Sequence, residues 1–137
     1  MPIPPPEAAN LAESGFPLQD FLGFEIENAE GSATASLVVG HQHLNPYGML
    51  HGSVPHALLD TAMGAAVGSV IDEGNLCVTI EMHVRYVRGV SEGRISATVN
   101  VIHAGRRIVH LEGKIVDDDD RVIATATSSF AVINPPS

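Results

Sequence analysis

One carboxylate stands out in the most apolar stretch of the chain. Between Val54 and Ile71, Asp60 is the only acidic or basic side chain apart from histidine. Aspartate is a poor residue for a helix interior, and burying an unpaired charge is costly. Two interpretations follow: Asp60 acts in catalysis, or it points to solvent or pairs with a neighbour such as His56. The composition of the stretch does not separate them.

Hydrogen-bond donors precede this stretch. Residues 45–53 are NPYGMLHGS, and a helix is predicted to begin at about Ser53. A helix N-terminus presents unpaired N–H groups and the positive end of the helix dipole. Gly52 would let a substrate carbonyl approach the backbone, and Asn45 would add a side-chain donor to the same oxygen. Taken singly, Gly52 is equally typical of a turn and Asn45 of an Asx-turn.

The spacing of these residues predicts a site shared between subunits. Asp60 follows Gly52 by eight residues, which is about 12 Å along a helix. A water molecule that attacks a carbonyl must lie about 3 Å from the carbon. Asp60 and the Gly52 amide of one chain are therefore too far apart to share a substrate. Two antiparallel helices from neighbouring subunits would bring them together at a two-fold dimer interface.

An α+β fold is predicted to position these residues. A hairpin in Gly23–Val39 with a turn at Gly31-Ser32 is followed by one long helix, Ser53–Ile71, with Ser53 as its N-cap. Four strands follow: Asn75–Val87, Gly93–His103, Arg107–Asp117 and Arg121–Ile133. We expect one curved antiparallel sheet wrapped around a mostly buried central helix. Small helix residues would let the sheet approach closely: Ala62, Gly64, Ala65, Ala66 and Gly68.

The chain is expected to form one domain, residues 23–137, after an N-terminal extension of residues 1–22. The extension carries prolines in residues 1–6, a possible short helix at Glu7–Glu13 and a turn at Pro17–Phe21. A 137-residue chain can bury a core, and its 45% hydrophobic and 17% charged content is typical of a globular protein.

Composition also limits the classes of function. A net charge of −9 argues against nucleic-acid binding, and the apolar stretch contains too many polar residues for a membrane span. The single cysteine, Cys77, and a start without signal-peptide features favour the cytoplasm. The run Asp117–Asp120 indicates a solvated turn more than a metal site.

The segment HLNPYGMLHGSVPHALLDTAMGAA, residues 43–66, resembles the signature of the phenylacetic-acid-degradation branch of the hotdog thioesterases. These proteins are relatives of 4-hydroxybenzoyl-CoA thioesterase, and the resemblance extends over roughly residues 23–133. It implies a hotdog fold and hydrolysis of an acyl-CoA to free CoA and a carboxylic acid. It further implies no metal, no separate cofactor because CoA is part of the substrate, and a homodimer or homotetramer.

The resemblance assigns roles by position. Asn45 and the Gly52 amide would polarise the thioester carbonyl. Asp60 would activate water as a general base or attack as a nucleophile, and both mechanisms stay open. Thr79 matches a Ser/Thr position that helps to orient the water, and His51 matches the motif histidine, whose role is positional rather than acid–base.

One position departs from the family pattern. The family usually has His-Gly-Gly, and Ser53 stands here in place of the second glycine. A serine there would cap the helix or narrow the pocket. The mechanism would be unaffected, but the acyl preference stays open.

Arginine is the side chain best suited to bind the phosphates of CoA. Four of the seven basic side chains are arginines near predicted strand ends: Arg85, Arg88, Arg106 and Arg107. Arg88 and Arg106 are the preferred pair. The alternative is that these arginines only make the surface soluble.

Three other functions remain as alternatives. A hotdog hydratase or dehydratase would use His43 or His51 with an acidic residue, but its histidine precedes a Phe-Pro-Gly-like turn, and Leu-Asn-Pro follows His43 here. A metal site would need His41, His43 and His51, with no further ligand at suitable spacing. A non-catalytic acyl-CoA-binding hotdog domain would not require Asp60 together with Asn45 and Gly52.

Overall fold

The computed structural model describes residues 16–134. The elements in chain order are helix α1 (Pro17–Leu22), strands β1 (Glu25–Ala29) and β2 (Ser32–Val38), a 3-10 turn (His41–His43), helix α2 (Ser53–Gly68), and strands β3 (Leu76–Tyr86), β4 (Arg94–Ala104), β5 (Ile108–Val116) and β6 (Val122–Ile133). This order confirms the predicted hairpin, long helix and four strands. The predicted helix at Glu7–Glu13 and the prolines of residues 1–6 lie outside the described residues, whereas α1 occupies the predicted turn at Pro17–Phe21.

All six strands form one antiparallel sheet in the order β1-β2-β4-β5-β6-β3. Helix α2 contacts every strand, so the sheet curves around it as predicted. The core lies between the two. The sheet contributes alternate residues of its central strands to the core, because successive side chains of a strand point to opposite faces. Examples are Ile95, Ala97 and Val99 on β4, which are fully buried.

Helix α2 is buried along one face only. Its buried residues recur every three or four positions: Val54, Pro55, Leu58, Leu59, Ala62, Met63, Ala66 and Val67. The other face is half-buried or exposed and includes Asp60, Thr61 and Gly64. The expectation of a mostly buried helix was therefore wrong for a single chain, because one apolar stripe is enough to cover the sheet.

Both ends of α2 differ from the prediction. The N-cap is Gly52, and Ser53 is the first helical residue and makes no side-chain cap. The Ser53 N–H instead donates to His51 Nδ1 at 3.0 Å. The imidazole of His51, and not the hydroxyl of Ser53, therefore accepts a hydrogen bond from a free N–H at the helix start. The helix ends at Gly68, three residues before the predicted Ile71, and Gly74, with a positive φ of 88°, lies in the turn that leads to β3.

The two helix glycines are not explained by sheet packing. A Cβ at Gly64 would lie 3.7 Å from the Phe130 ring, an ordinary contact, and a Cβ at Gly68 would meet nothing within 4 Å. The prediction that these glycines let the sheet approach closely was wrong. Ala62 and Ala66 are the small residues that face the sheet, and both are fully buried.

Strand β3 is an edge of the sheet and contains a β-bulge. It pairs with β6 on one side only, and Leu76, Val78 and Ile80 are 60%, 51% and 52% exposed. The register shifts by one residue between Thr79 and Glu81, so Ile80 is the extra residue. A bulge shifts the alternation of side chains. Thr79 therefore faces α2 before the bulge, and Tyr86 faces it after.

Candidate active site

The carboxylate of Asp60 is held by a hydroxyl from the edge strand. Thr79 Oγ1 donates to Asp60 Oδ1 at 2.7 Å. Asp60 is half-buried where α2 meets β3, so one carboxylate oxygen is oriented and the other stays available to a ligand. Among residues 16–134 no ion pair joins Asp60 to His56, so the pairing considered from the sequence is not formed.

A thiol lies beside this carboxylate. Cys77 is two residues before Thr79, so both side chains face α2. Its Sγ donates to the Gly64 carbonyl at 3.7 Å. Burial raises the pKa of the Cys77 thiol, and the negative charge of Asp60 raises it further. Sequence reasoning missed Cys77, although its two-residue spacing from Thr79 would have placed it on the same face.

A separate cleft lies at the start of α2. Its volume is about 330 Å³, and its walls include Asn45, Gly52, Tyr86 and Arg88. The structure thus brings together three residues that the sequence singled out: Asn45, Gly52 and Arg88. Asp60 and Thr79 are not among the residues that line it.

Asn45 makes the turn that was one of its two predicted roles, and its role as a donor to the substrate stays a prediction. Its Oδ1 accepts the N–H groups of Tyr47 at 2.9 Å and Met49 at 3.1 Å, which makes the predicted Asx-turn. These two contacts fix the orientation of the amide, because only the oxygen accepts. The Nδ2 donor is left without a hydrogen-bond partner among residues 16–134, in a side chain that lines the cleft.

The Gly52 N–H is also unpaired within the described part of the chain, whereas the groups around it are bonded. His51 N–H donates to His43 O at 2.8 Å, and Val54 N–H donates to His51 O at 3.0 Å. Tyr86 Oη donates to Gly52 O at 2.6 Å, and His51 Nδ1 accepts the Ser53 N–H. Because Nδ1 accepts, the neutral His51 ring carries its proton on Nε2. Tyr86 was not found from the sequence, since only the bulge in β3 turns it towards Gly52.

The two groups lie apart in one chain. Eight residues of helix separate Gly52 from Asp60, about 12 Å. Strand β3 contacts the two groups through two separate residues: Tyr86 contacts Gly52, and Thr79 contacts Asp60. The geometry therefore consists of a donor half at the helix start and a carboxylate half at the helix middle.

The preferred arginine pair is not assembled in one chain. Arg88 N–H donates to the carbonyl of Ile123, near the start of β6, and Arg107, next to Arg106, accepts from the N–H of Val132 near its end. Ile123 and Val132 are nine residues apart, roughly 30 Å along a strand. Arg106 thus lies far from the cleft that contains Arg88. Within one chain Arg88 and Arg106 therefore do not meet, because the strand order, which the sequence does not reveal, places them near opposite ends of β6. Their role in binding phosphate stays a prediction.

The other arginines and the aspartate run lie elsewhere. Arg85 lines a groove of about 510 Å³ on the sheet face opposite α2. The Asp117–Asp120 run is the predicted turn: Asp117 accepts the N–H groups of Asp119 and Arg121, both at 2.9 Å, and pairs with the Arg121 side chain at 2.8 Å.

His43 is a structural histidine. It is only 2% exposed, its Nδ1 accepts the Gly40 N–H at 2.9 Å, and its Nε2 donates to Leu22 O at 2.7 Å. Both ring nitrogens are therefore engaged, and neither is available as a catalytic base or metal ligand. His43 therefore cannot serve as the base of a hydratase or as one of the three histidine ligands of a metal site. No group of three His, Cys, Asp or Glu side chains suited to a metal ion occurs within residues 16–134.

A curved antiparallel sheet wrapped around one long central helix defines the hotdog fold, and comparison with known proteins agrees. The profile of the thioesterase superfamily matches residues 47–124, more than half of the chain. The chain belongs to this superfamily and is a thioester hydrolase. Within residues 16–134, no helix has the length and apolar character needed to cross a membrane.

Three relatives illustrate the match. A Bacillus subtilis (strain 168) protein named as a candidate esterase, ComA2, is 33% identical over 118 residues, which cover 85% of this chain and 94% of the relative. The 1,4-dihydroxy-2-naphthoyl-CoA hydrolase of Listeria monocytogenes is 28% identical over 116 residues, 84% of this chain and 94% of the relative. The E. coli PaaI structure superposes with a TM-score of 0.82 at 24% identity, covers 92% and 91% of the two chains, and shows the fold alone.

Proposed function

We propose that the chain hydrolyses acyl-CoA thioesters to free CoA and a carboxylic acid, at a site shared by two copies. The observation that carries the proposal is the 2.7 Å hydrogen bond from Thr79 to Asp60, which presents a fixed carboxylate on the open face of α2. The hydrolase relative named for a naphthoyl-CoA supports the choice of a CoA thioester. No metal or separate cofactor is needed, and the single cysteine favours the cytoplasm.

Hydrolysis needs hydrogen-bond donors for the developing oxyanion. The Gly52 N–H and Asn45 Nδ2 would donate to the thioester oxygen, and donors without other partners require no reorganisation during the reaction. His51 would act only by holding the helix start through its bond to Ser53. As the tetrahedral intermediate collapses, the C–S bond breaks and CoA leaves as the thiol after taking up a proton.

Asp60 would supply the attacking group in one of two ways. As a general base it takes a proton from water, which Thr79 helps to orient, and the hydroxide forms the new C–O bond. As a nucleophile it attacks the carbonyl carbon itself and forms an anhydride that water then opens. Label recovered in the Asp60 side chain after a single turnover in ¹⁸O-labelled water would show the nucleophilic mechanism, because only an anhydride opened at the Asp60 carbonyl places it there.

The unpaired edge of β3 supports the shared site. An 11-residue edge strand with exposed Leu76, Val78 and Ile80 is suited to pair with a second copy of itself. Antiparallel pairing about a two-fold axis would set two α2 helices side by side in opposite directions. Asp60 of each copy would then face Gly52 and Asn45 of the other. We propose a homodimer of this kind, alone or doubled into a tetramer.

The same pairing would give the two arginines a common ligand. Arg88 follows the end of β3, and Arg106 lies at the end of the sheet where β3 begins. When two β3 strands run antiparallel, the Arg106 region of one copy approaches Arg88 of the other. Arg88 and the Arg106 of a second copy would then bind the phosphates of one CoA.

The test is release of free CoA from a panel of acyl-CoAs, with aryl and aliphatic acyl groups, measured with a thiol reagent. Asp60→Asn keeps the side-chain shape and is expected to lower kcat by about 1000-fold, since it removes the proton acceptor. Thr79→Val should lower kcat by about tenfold, through loss of one hydrogen bond, and Thr79→Ser should preserve it. The exposed turn variant Asp72→Asn is the matched control and should behave as wild type.

Two results would contradict the proposal. If the wild-type protein releases CoA from no member of the panel, the acyl-CoA assignment fails. If Asp60→Asn retains the wild-type kcat, hydrolysis does not depend on this carboxylate.

A further inference from the structure

Tyr86 joins the edge strand to the start of α2. It is the last residue of β3, and its hydroxyl donates to the Gly52 carbonyl at 2.6 Å, a short hydrogen bond. Its ring also lies against Gly52, because a Cβ on that glycine would be 3.5 Å from the ring. Both residues line the same cleft. The contact is therefore built into the wall of the donor half of the site.

The Gly52 carbonyl and the Ser53 N–H belong to one peptide group, and side chains hold both. Tyr86 donates to the carbonyl oxygen, and His51 Nδ1 accepts the N–H. As the N-cap, Gly52 also accepts the first hydrogen bond of the helix through this carbonyl, so Tyr86 uses its second lone pair. The peptide plane is thus fixed from two sides.

These two hydrogen bonds have their largest effect on backbone conformation at a glycine. Gly52 has no side chain to limit its rotation, and its φ of −58° is one that any residue adopts, so the backbone alone does not lock it. The neighbouring N–H of Gly52 is the group left free to donate. The Gly52 N–H belongs to the preceding peptide group, whose carbonyl, His51 O, accepts the Val54 N–H at 3.0 Å. With the following peptide group held as well, both φ and ψ of Gly52 are constrained, and with them the direction of its N–H.

We infer that Tyr86 is a positioning residue: its hydroxyl orients Gly52 so that the Gly52 N–H is ready to bind the carbonyl oxygen of the substrate. This inference rests on the proposed function. Tyr86 does not itself touch the reacting atoms. Burial raises the pKa of the Tyr86 phenol, so the hydroxyl keeps its proton at neutral pH and remains a donor.

The kinetic test is Tyr86→Phe, which keeps the ring against Gly52 and removes only the donor. We expect kcat to fall about tenfold, the effect of one hydrogen bond, while KM changes by less than about twofold, because the oxyanion contact strengthens in the transition state. Tyr47→Phe is the matched control. Tyr47 is the only other tyrosine, is 89% exposed, and its phenol makes no hydrogen bond within residues 16–134, so kcat should not change.

A second measurement does not depend on catalysis. In ¹⁵N NMR spectra, Tyr86→Phe should shift the amide signals of Gly52 and Ser53 and speed their exchange with solvent, and Tyr47→Phe should leave both unchanged. Unaltered Gly52 and Ser53 signals in Tyr86→Phe would overturn the inference. So would a lower melting temperature with wild-type kcat, which indicates packing alone, or a rise in KM at constant kcat, which indicates substrate contact.

The two proposals fail in different ways. If wild-type protein hydrolyses no acyl-CoA, the proposed function is wrong, and the amide signals still report whether Tyr86 orients Gly52. If wild type is active and Tyr86→Phe equals it, only the role of Tyr86 is wrong.

Discussion

The middle of α2 and its first turn use different parts of the polypeptide. In the middle, the functional groups are side chains: the Asp60 carboxylate, the Thr79 hydroxyl and the nearby Cys77 thiol. In the first turn they are mostly backbone, with the free Gly52 N–H and one side-chain amide, Asn45. Towards a substrate, the carboxylate half would present a negative charge that accepts protons or hydrogen bonds, and the donor half would present N–H groups that donate.

The difference determines how each half responds to mutation. A side chain is removed by one substitution, whereas a backbone N–H survives every substitution at its own position except proline. The donor half is therefore accessible mainly through its supports, Tyr86 and His51. Both halves still share one structural element, because β3 holds Asp60 through Thr79 and Gly52 through Tyr86.

Mixing two inactive variants tests whether the halves act across chains. Asp60→Asn damages one half and Asn45→Ala the other, so each homodimer should be nearly inactive. Half of the dimers formed after denaturing and refolding an equal mixture should be mixed, with one intact site of two. Activity should return to about a quarter of wild type. No recovery, although mass spectrometry shows mixed dimers, would place both halves of the site within one chain.

A charge on the edge of β3 should separate the copies. Val78→Lys places a lysine on the exposed edge, where lysine blocks strand pairing. Sedimentation should then show monomers, and kcat/KM should fall at least about tenfold because each site loses its partner. Val38→Lys is the control, since Val38 is 59% exposed on β2 and Val78 is 51% exposed on β3. An assembled, active Val78→Lys protein would argue against pairing through this edge.

The single thiol reports on the carboxylate half without any substrate. The charge of Asp60 helps to raise the pKa of Cys77, so Asp60→Asn should lower that pKa and increase the thiolate fraction at a given pH. Alkylation of Cys77 near pH 8 should become several-fold faster. Asp72→Asn should have no effect. Equal rates in wild type and Asp60→Asn would contradict the proximity of the two groups.

The smallest expected effect concerns the open face of α2. Gly68→Ala adds a Cβ that meets nothing within 4 Å, so it should raise the free energy of unfolding by about 0.5–1 kcal/mol. Gly74→Ala should do the opposite, since its φ of 88° disfavours alanine. Both are measured by thermal unfolding. A destabilised Gly68→Ala protein would indicate that another copy covers this face.

Much of the fold could be predicted from the sequence, because local signals agreed with one another. Long alternating strands, turns rich in glycine and aspartate, and a single apolar helix gave the order of elements, with ends correct to within one to three residues. The error at Ser53 has a clear cause. Serine is a good N-cap, but the preceding residues already supplied Gly52 as the cap and His51 as the acceptor.

The site was harder to predict from the sequence than the fold, because it depends on contacts between residues that are distant in sequence. Asp60 stood out as a lone charge, but Thr79 came only from family resemblance, and no pattern indicated Tyr86. The separation of Arg88 and Arg106 within one chain could not be predicted, because it depends on which strands are neighbours. Sequence spacing measures distance along one element and says little about distance between elements.

Because of the extra residue in β3, the number of residues between Thr79 and Tyr86 decides whether both side chains face α2. Thr79 and Tyr86 are seven positions apart, and in a regular strand an odd separation places two side chains on opposite faces. Deleting Ile80 would leave every proposed site residue in the sequence, yet it would turn Tyr86 away from Gly52. A one-residue insertion or deletion in this strand should therefore cost more activity than most substitutions of its exposed side chains. When relatives of this chain are aligned, a gap at Ile80 is more informative than the identity of the residue there.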